Sequence, residues 1–190
     1  MKYIKQLAVF LLILISFSAN AGEWRTGFAV SYLSGVDDVV DIYESNLEAM
    51  GYTVDSTGWP IGIAFDGHYE WDSGLRVGVG IGPISAIISD EADHFEIAAN
   101  ATIGYTFIPS ANISPYVKVG IAYHAIDGDY VVSEDPGVLA AVGIDFSRNN
   151  RVMYSFEIAK DDSEATFERY GAENETINTY DTIVSFIVKF

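Results

Sequence analysis

The feature that most constrains the fold is an alternation of apolar and polar residues with a period of two, repeated along the chain. Such an alternation predicts β-strands, because successive side chains of a strand point to opposite faces. We therefore expect an all-β fold built from eight antiparallel strands. The eight runs are WRTGFAVSYL (24–33), WPIGIAFDGHYEW (59–71), LRVGVGIGP (75–83), FEIAANATIGYTF (95–107), PYVKVGIAYHA (115–125), VLAAVGIDF (138–146), RVMYSFEIA (151–159) and TYDTIVSFIVKF (179–190).

The connections between these runs alternate between long and short. The long ones are 34–58, 84–94, 126–137 and 160–178, and the short ones are 72–74, 108–114 and 147–150. Long loops at one end and tight turns at the other are typical of a transmembrane up-and-down barrel. A soluble sandwich or a lipocalin-like barrel also alternates, but it has no reason to sort its loops in this way. The sequence thus predicts an eight-stranded transmembrane β-barrel with both chain termini on the periplasmic side.

The two faces of the strands differ in the way a membrane barrel requires. Aromatic residues stand on the apolar face near both strand ends, as in the aromatic girdles of such barrels. The apolar face should therefore meet lipid, and the polar face should line the lumen. The periplasmic girdle comprises Trp24, Tyr69, Trp71, Tyr105, Phe107, Phe146 and Phe190, and the outer girdle comprises Tyr32, Trp59, Phe95 and Tyr123. The polar face carries Arg25, Asp66, His68, Arg76, Glu96, Asn100, Thr102, Lys118, His124, Asp145 and Glu157.

The amino-terminal segment predicts export. Two lysines, an uninterrupted apolar run and the small residues Ala19-Asn20-Ala21 follow one another, which is the order of a secretory signal peptide. We expect residues 1–21 to be the signal peptide and residues 22–190 to form one barrel domain. Without Lys2 and Lys5, the chain has eight basic residues against 27 acidic ones. That balance of −19 argues against nucleic acid as a partner.

The last strand carries a resemblance. Its alternation from Tyr180 to Phe190 and the eight-strand architecture resemble the small outer-membrane β-barrel proteins of Gram-negative bacteria, the OmpA/OmpX-like group of the porin family. The resemblance implies a monomer in the outer membrane, in contact with membrane lipid and lipopolysaccharide, with extracellular loops. It also implies an assembly signal read by the barrel-assembly machinery. The residues that carry this signal are Tyr180, Phe186, Val188 and Phe190.

The polar face predicts a network of charges inside the lumen. Its expected members are Arg25, Asp66, His68, Arg76, Lys118, Asp145 and Glu157, and we expect Lys118 and Asp145 to face each other. An eight-stranded barrel has an interior that side chains just fill, so paired charges can plug it. The alternative is a narrow hydrated path through the same residues. The glycine-rich third strand favours that alternative, because its side chains occupy little volume.

The four long loops are strongly acidic, since they hold 19 of the 27 acidic residues. Mutual repulsion on a solvated surface is one interpretation. The other is that divalent cations bind, either bridging to lipopolysaccharide phosphates or organising the loops. Within DGDYVVSED (127–135), the residues Asp127, Asp129 and Asp135 form a candidate calcium site, because oxygen-rich loops suit calcium. We expect no other cofactor.

The first long loop contains a different pattern. Val36, Val39, Tyr43 and Leu47 recur at helical spacing, and Gly51 can end the helix. A short amphipathic helix outside the membrane must cover its apolar stripe. It can pack over the barrel mouth or against neighbouring loops, lie in the lipid interface, or meet a partner.

Enzymatic chemistry has little support in the sequence. Barrel enzymes that modify lipid A need a histidine, a serine and an acid that converge, and the three histidines show neither that arrangement nor metal-ligand spacing. We therefore expect a non-enzymatic protein with a structural or surface-interaction role. The alternatives are a narrow porin-like channel for small solutes or cations and, third, a lipid-modifying enzyme.

Overall fold

The computed structural model describes residues 22–53, 57–88 and 93–190, so the predicted signal peptide lies outside the described residues. One helix and twelve strands follow one another along this part of the chain. In order they are β1 (Gly22–Leu33), α1 (Val36–Ala49), β2 (Thr57–Gly58), β3 (Ile61–Trp71), β4 (Leu75–Ile88), β5 (Asp93–Thr106), β6 (Ile113–Gly128), β7 (Val131–Asp135), β8 (Gly137–Phe146), β9 (Met153–Asp161), β10 (Glu164–Phe167), β11 (Glu175–Ile177) and β12 (Thr182–Lys189).

Eight of these strands close into an antiparallel barrel. The closed circuit runs β1, β3, β4, β5, β6, β8, β9 and β12, and each strand pairs with its neighbours in this order. The last strand returns to the first, with Gly27 opposite Lys189 and Leu33 opposite Ile183. The predicted eight-stranded antiparallel barrel is confirmed. We call the end with Gly22 and Phe190 the terminus end and the opposite end the helix end.

The side chains alternate between the wall and the interior as predicted. Along β9, Met153, Ser155 and Glu157 are buried, whereas Tyr154 and Phe156 are exposed on the outer wall. The two aromatic bands also stand outside, with Trp24 and Phe190 at the terminus end and Tyr32 and Trp59 toward the helix end; Tyr69 alone among them is buried, because its ring packs between those of Trp24 and Trp71. An apolar wall around a polar lumen is the arrangement that lipid requires.

The predicted helix forms and packs over the barrel mouth. Its apolar residues, including Val39, Ile42 and Leu47, are buried in a cluster with inward side chains of the barrel strands at the helix end, such as Leu139 and Ile183. Gly51 follows the helix with φ +92°, a conformation that glycine adopts without steric cost. Of the alternatives for the apolar stripe, packing within the domain is the one observed. Among the described residues, no helix has the length and apolar character needed to cross a bilayer.

The strand β4 is longer than the sequence predicts. The alternation breaks at Gly82 and Pro83, and we expected a loop over 84–94, but β4 continues to Ile88. Its pairing shifts in register on both sides at this point, with a bulge between Ile81 and Ile84. Proline is tolerated at a bulge because no ladder hydrogen bond is needed there. The bulge reverses the alternation, so that Ser85 points inward.

The loops at the helix end contain more structure than expected. The segments predicted as loops over 126–137 and 160–178 contribute β7, β10 and β11, which form a separate three-stranded sheet. The predicted place of Tyr180 in the outward-facing alternation of the last strand is wrong. Tyr180 precedes β12 and is fully buried, and its hydroxyl lies 2.7 Å from Ser85 Oγ. The alternation of the last strand therefore begins at Thr182 and not at Tyr180.

The lipid-facing wall can be tested with one charge. Val79 is 64% exposed in the middle of β4, opposite Ala101 of β5. We expect Val79→Lys to lower the free energy of unfolding in lipid by about 2–4 kcal/mol, the cost of a lysine at the bilayer midplane. Urea unfolding in vesicles measures the change.

The matched control is Val132→Lys, because Val132 is similarly exposed, at 55%, but lies on the three-stranded sheet outside the barrel. This variant should unfold like the parent protein. Equal losses of stability in the two variants would contradict a lipid-facing Val79.

Candidate functional site

The lumen is the candidate site, because the buried ionisable side chains collect there. At the terminus end lies a group that we call the terminus-end charge cluster. Its acids come from β3 and β8 and its bases from β4, β12 and the turn between β8 and β9. The members are Glu70, Arg76, Asp145, Arg148 and Lys189, and all five are buried.

Asp145 is the centre of this cluster. Its carboxylate contacts three cations, since Oδ2 lies 2.8 Å from both Arg76 Nη2 and Arg148 Nη1, and Oδ1 lies 3.1 Å from Lys189 Nζ. Glu70 joins the same two arginines, with its Oε2 2.7 Å from Arg76 Nη2. Two acids thus hold three bases in a network of ion pairs that spans the lumen.

Aromatic and hydroxyl groups complete the cluster. The Arg76 guanidinium lies 4.3 Å from the ring centroid of Tyr116, a cation–π contact that suits a desolvated arginine. Thr106 Oγ1 donates a hydrogen bond of 2.9 Å to Glu70 Oε2. Ser155 Oγ donates another to Asp145 Oδ1. These contacts fill the lumen at the terminus end with hydrogen-bonded side chains.

The middle of the lumen is polar and less tightly filled. Lys118 Nζ lies 2.9 Å from Glu157 Oε2, and Tyr116 Oη donates a hydrogen bond of 2.7 Å to the same oxygen. His68 Nδ1 lies 3.6 Å from Asp66 Oδ2. Two cavities of about 20 and 50 Å³ lie here. The two cavities share four lining residues, Asp66, Asn100, Lys118 and Glu157.

A second polar group lies beneath α1, and we call it the helix-end polar cluster. Its members are His94, Glu96, His124, Asp161 and Thr179, all buried. The buried Glu96 carboxylate is the common acceptor: its Oε1 lies 2.6 Å from His124 Nδ1, and its Oε2 lies 3.3 Å from His94 Nε2. His124 Nε2 lies 3.1 Å from Asp161 Oδ2. The cluster therefore links β5, β6 and β9 across the barrel.

Tyr43 connects this cluster to the helix. Its hydroxyl lies 3.3 Å from His94 Nδ1 and donates a hydrogen bond to the backbone carbonyl of Asp129. Burial, together with the nearby charge of Asp129, raises the pKa of Tyr43 above its usual value. The hydroxyl therefore stays protonated and keeps its donor role. Asn46 lies one turn along α1 from Tyr43, and its Nδ2 donates a hydrogen bond of 2.7 Å to the backbone carbonyl of Glu168. The helix is thus bonded to a second loop.

The predicted lumen network is only partly brought together. Asp66, His68, Arg76, Asp145 and Glu157 line the lumen. Arg25 contacts Glu23 at the rim and not Asp66. The predicted pairing of Lys118 with Asp145 is wrong, because the register of β6 with β8 sets Lys118 opposite Ala141 and Asp145 opposite Ser114.

Sequence reasoning left three members of the terminus-end charge cluster out of the network. Glu70 and Lys189 stand on the inward positions of their strands, so the alternation could have found them. Arg148 lies in a turn and reaches back into the lumen, 2.8 Å from Asp145. No periodic pattern marks a turn residue, so Arg148 had no signal in the sequence.

The predicted calcium ligands do not converge. Asp127, Asp129 and Asp135 are all exposed, and Asp129 accepts a hydrogen bond of 3.3 Å from the backbone N–H of Asp93. Within residues 22–53, 57–88 and 93–190, no group of three or more histidine and acidic side chains has the geometry to hold a metal ion.

The residues proposed as the assembly signal lie in two places. Phe186 and Phe190 are exposed on the outer wall and Val188 is half-buried beside them. Tyr180 instead lies inside, with its ring centroid 4.6 Å from that of His124. The barrel-assembly role of the three outward residues stays a prediction.

A hydroxyl–histidine–acid arrangement does occur in the helix-end polar cluster. Thr179 Oγ1 lies 2.9 Å from His124 Nδ1, and Asp161 Oδ2 lies 3.1 Å from the other ring nitrogen, Nε2. The Thr179 hydroxyl also donates to Glu96, and it is buried. A nucleophile must reach its substrate, and this hydroxyl lines neither of the two lumen cavities. The geometry fits a structural link between strands.

Comparison with known proteins places the fold. No protein-family model matches this sequence, and neither does any curated protein. Solved structures do match. Outer membrane protein OprG from Pseudomonas aeruginosa shares 14% identity at a TM-score of 0.55, over 90% of this chain and 97% of its own. Neisserial surface protein A shares 11% sequence identity at a TM-score of 0.54, and the match covers 90% of this chain and 98% of that protein. Outer membrane protein W from E. coli shares 16% sequence identity at a TM-score of 0.53, and the match covers 90% of this chain and 98% of that protein.

At these identities the likeness establishes the fold alone. It is the fold of the small eight-stranded outer-membrane β-barrels, which confirms the class predicted from the alternation and the last strand.

The terminus-end charge cluster yields a stability prediction. In Asp145→Asn, Arg76 and Arg148 keep only Glu70 as an acidic partner, and Lys189 loses its ion pair. An uncompensated buried charge typically costs about 3–5 kcal/mol. We expect a loss of that order in the free energy of unfolding, measured by urea titration in detergent micelles.

Asp181→Asn is the control, since Asp181 pairs with Lys160 on the surface, where ion pairs contribute little. A parent-like stability for Asp145→Asn would show that the cluster does not depend on that carboxylate.

Proposed function

We propose that the protein is a closed barrel of the outer membrane with a structural or surface-interaction role. The observation that carries this proposal is that the lumen is filled at two levels. The terminus-end charge cluster fills one, and the apolar cluster beneath α1 fills the other. The fold and the apolar outer wall support the outer-membrane location.

We further propose that both termini face the periplasm and that the helix end faces the medium. The support comes from the loops: the helix end carries the long, acidic connections, as extracellular loops of such barrels are longer than periplasmic turns. The side of α1 that points away from the barrel is acidic, with Asp37, Asp38, Asp41 and Glu48 exposed. The protein would thus present a negative surface to its surroundings.

This surface suggests how the protein meets its neighbours. Carboxylates repel the phosphates of lipopolysaccharide, so we propose that divalent cations bridge the two. On the outer wall, the exposed Phe186 and Phe190 of the last strand are the side chains available to the assembly machinery. The loops offer the remaining surface to an extracellular partner.

A narrow channel is the second candidate. The channel is favoured by the two lumen cavities and by the glycines of β4. Gly78 lines the smaller cavity and Gly80 lines the larger one. The larger cavity holds about 50 Å³, room for a few water molecules but not for a hydrated solute of any size. A path would require the charge cluster and the helix to move.

We propose no enzymatic role. The histidine with the best acid partners, His124, has both ring nitrogens engaged by Glu96, Thr179 and Asp161. A general base needs a nitrogen within reach of its substrate.

Single-channel conductance in a planar bilayer tests the proposal. We expect no reproducible steps from the refolded protein, because charged and apolar side chains block the lumen in series. A heat-dependent shift in gel mobility serves as the folding control. Asp145→Asn should remain silent as well, since the apolar cluster beneath α1 is unchanged in it.

Reproducible steps with cation preference would contradict the closed barrel and support the channel. In that case, conductance lost in Gly80→Ala would place the path through the lumen, because a Cβ at Gly80 would lie 2.8 Å from Asn100 Nδ2.

A further inference from the structure

The smaller lumen cavity has an unusual lining. It measures about 20 Å³, and its wall includes charged, amide and hydroxyl side chains from six strands. A cavity needs about 10–15 Å³ to hold one water molecule, and apolar cavities stay dry whereas polar ones are hydrated. The volume is therefore suited to a single small ligand.

Three side-chain atoms in this wall are buried without a hydrogen-bond partner. They are Asp66 Oδ1, His68 Nε2 and Arg76 Nε, and all three residues line the cavity. Buried polar groups are nearly always paired with protein or with water, so each orphan calls for an explanation. Three orphans around one cavity point to one shared partner.

The orphans have complementary hydrogen-bonding roles. The Arg76 Nε–H can only donate, and the carboxylate oxygen of Asp66 can only accept. His68 turns Nδ1 toward Asp66 Oδ2 at 3.6 Å, which favours a proton on Nδ1 and leaves Nε2 as an acceptor. The shared partner must then accept one hydrogen bond and donate two.

We propose that this cavity is a binding site for one water molecule, which accepts from Arg76 and donates to Asp66 and His68. Water is the small ligand with that combination of one accepted and two donated bonds. A metal cation is disfavoured by Arg76, Lys118 and Lys189 in the same wall, and an anion is disfavoured by Asp66 and Glu157.

The site has a consequence for the lumen as a whole. The larger cavity shares Asp66, Asn100, Lys118 and Glu157 with the smaller one and continues to Ser31 and Ser185. The middle of the barrel is thus hydrated, while side chains close it toward both ends. The bound water exchanges with bulk only when one closure opens, so its residence time reports on the closed state.

Oxygen-17 magnetic relaxation dispersion of the refolded protein in micelles detects such long-lived internal water. We expect a dispersion step in the parent protein and a smaller one, by about one water molecule, in Gly78→Ala. A Cβ at Gly78 would lie 3.1 Å from His68 Cβ and 3.2 Å from Thr102 Oγ1, and it would occupy the cavity. Gly67→Ala is the control, because its Cβ would meet only Thr26 and Arg25, at 3.8 and 3.9 Å.

Equal steps in the parent protein and Gly78→Ala, or no step in the parent, would overturn the water site. A second measurement needs no variant. The chain has three histidines, so nitrogen-15 spectra of histidine-labelled protein resolve His68 from the other two. We expect the His68 ring signals to stay unchanged as chloride is added. A saturable shift at His68 alone would assign the cavity to an anion and overturn the proposal.

Discussion

The structure depends on the pairing of the first strand with the last. Lipid offers no hydrogen-bond partner, so every backbone group in the membrane must be satisfied within the protein, and a sheet can achieve this only by closing on itself. Here β1 and β12 pair over seven positions, from Gly27 with Lys189 to Leu33 with Ile183. Two more hydrogen bonds extend the closure: the Phe190 N–H donates to the Thr26 carbonyl at 2.8 Å, and the Thr26 N–H donates to the Phe190 carbonyl at 3.2 Å. Closure then forces each side chain to face either lipid or a narrow lumen.

The narrow lumen in turn dictates its chemistry. Charged side chains cannot face lipid, so they point inward, where they must pair. Asp145 meets three cations at the terminus end, Lys118 meets Glu157 in the middle, and Glu96 meets two histidines beneath α1. The helix adds the apolar layer that covers the mouth. The interior is therefore a sequence of layers, charged, hydrated, polar and apolar, and the proposed closed state follows from their order.

The sequence predicted what depends on local periodicity and missed what depends on register. Alternation located the eight strands and their faces, because lipid imposes the pattern on each strand separately. Helical spacing of the apolar residues located α1. It did not locate partners across the barrel: Lys118 contacts Glu157 and not Asp145, since the stagger between neighbouring strands decides which inward residues meet. The alternation predicts a strand end at Pro83, because a bulge has no periodic signature. It places Tyr180 on the outer wall, because this buried residue continues the alternation of β12 by chance.

Disulfide cross-linking between the first and last strands tests the closure most directly. The chain contains no cysteine, and Ser31 and Ser185 are opposite residues of β1 and β12 whose Oγ atoms lie 2.7 Å apart in the lumen. In the folded protein, mild oxidation of the variant with Ser31→Cys and Ser185→Cys should cross-link the two strands, seen as altered mobility of the unfolded chain on a non-reducing gel. The variant with Ser31→Cys and Ile187→Cys, two residues out of register, should not cross-link. Failure of the first pair, or equal cross-linking of both, would contradict a barrel closed in this register.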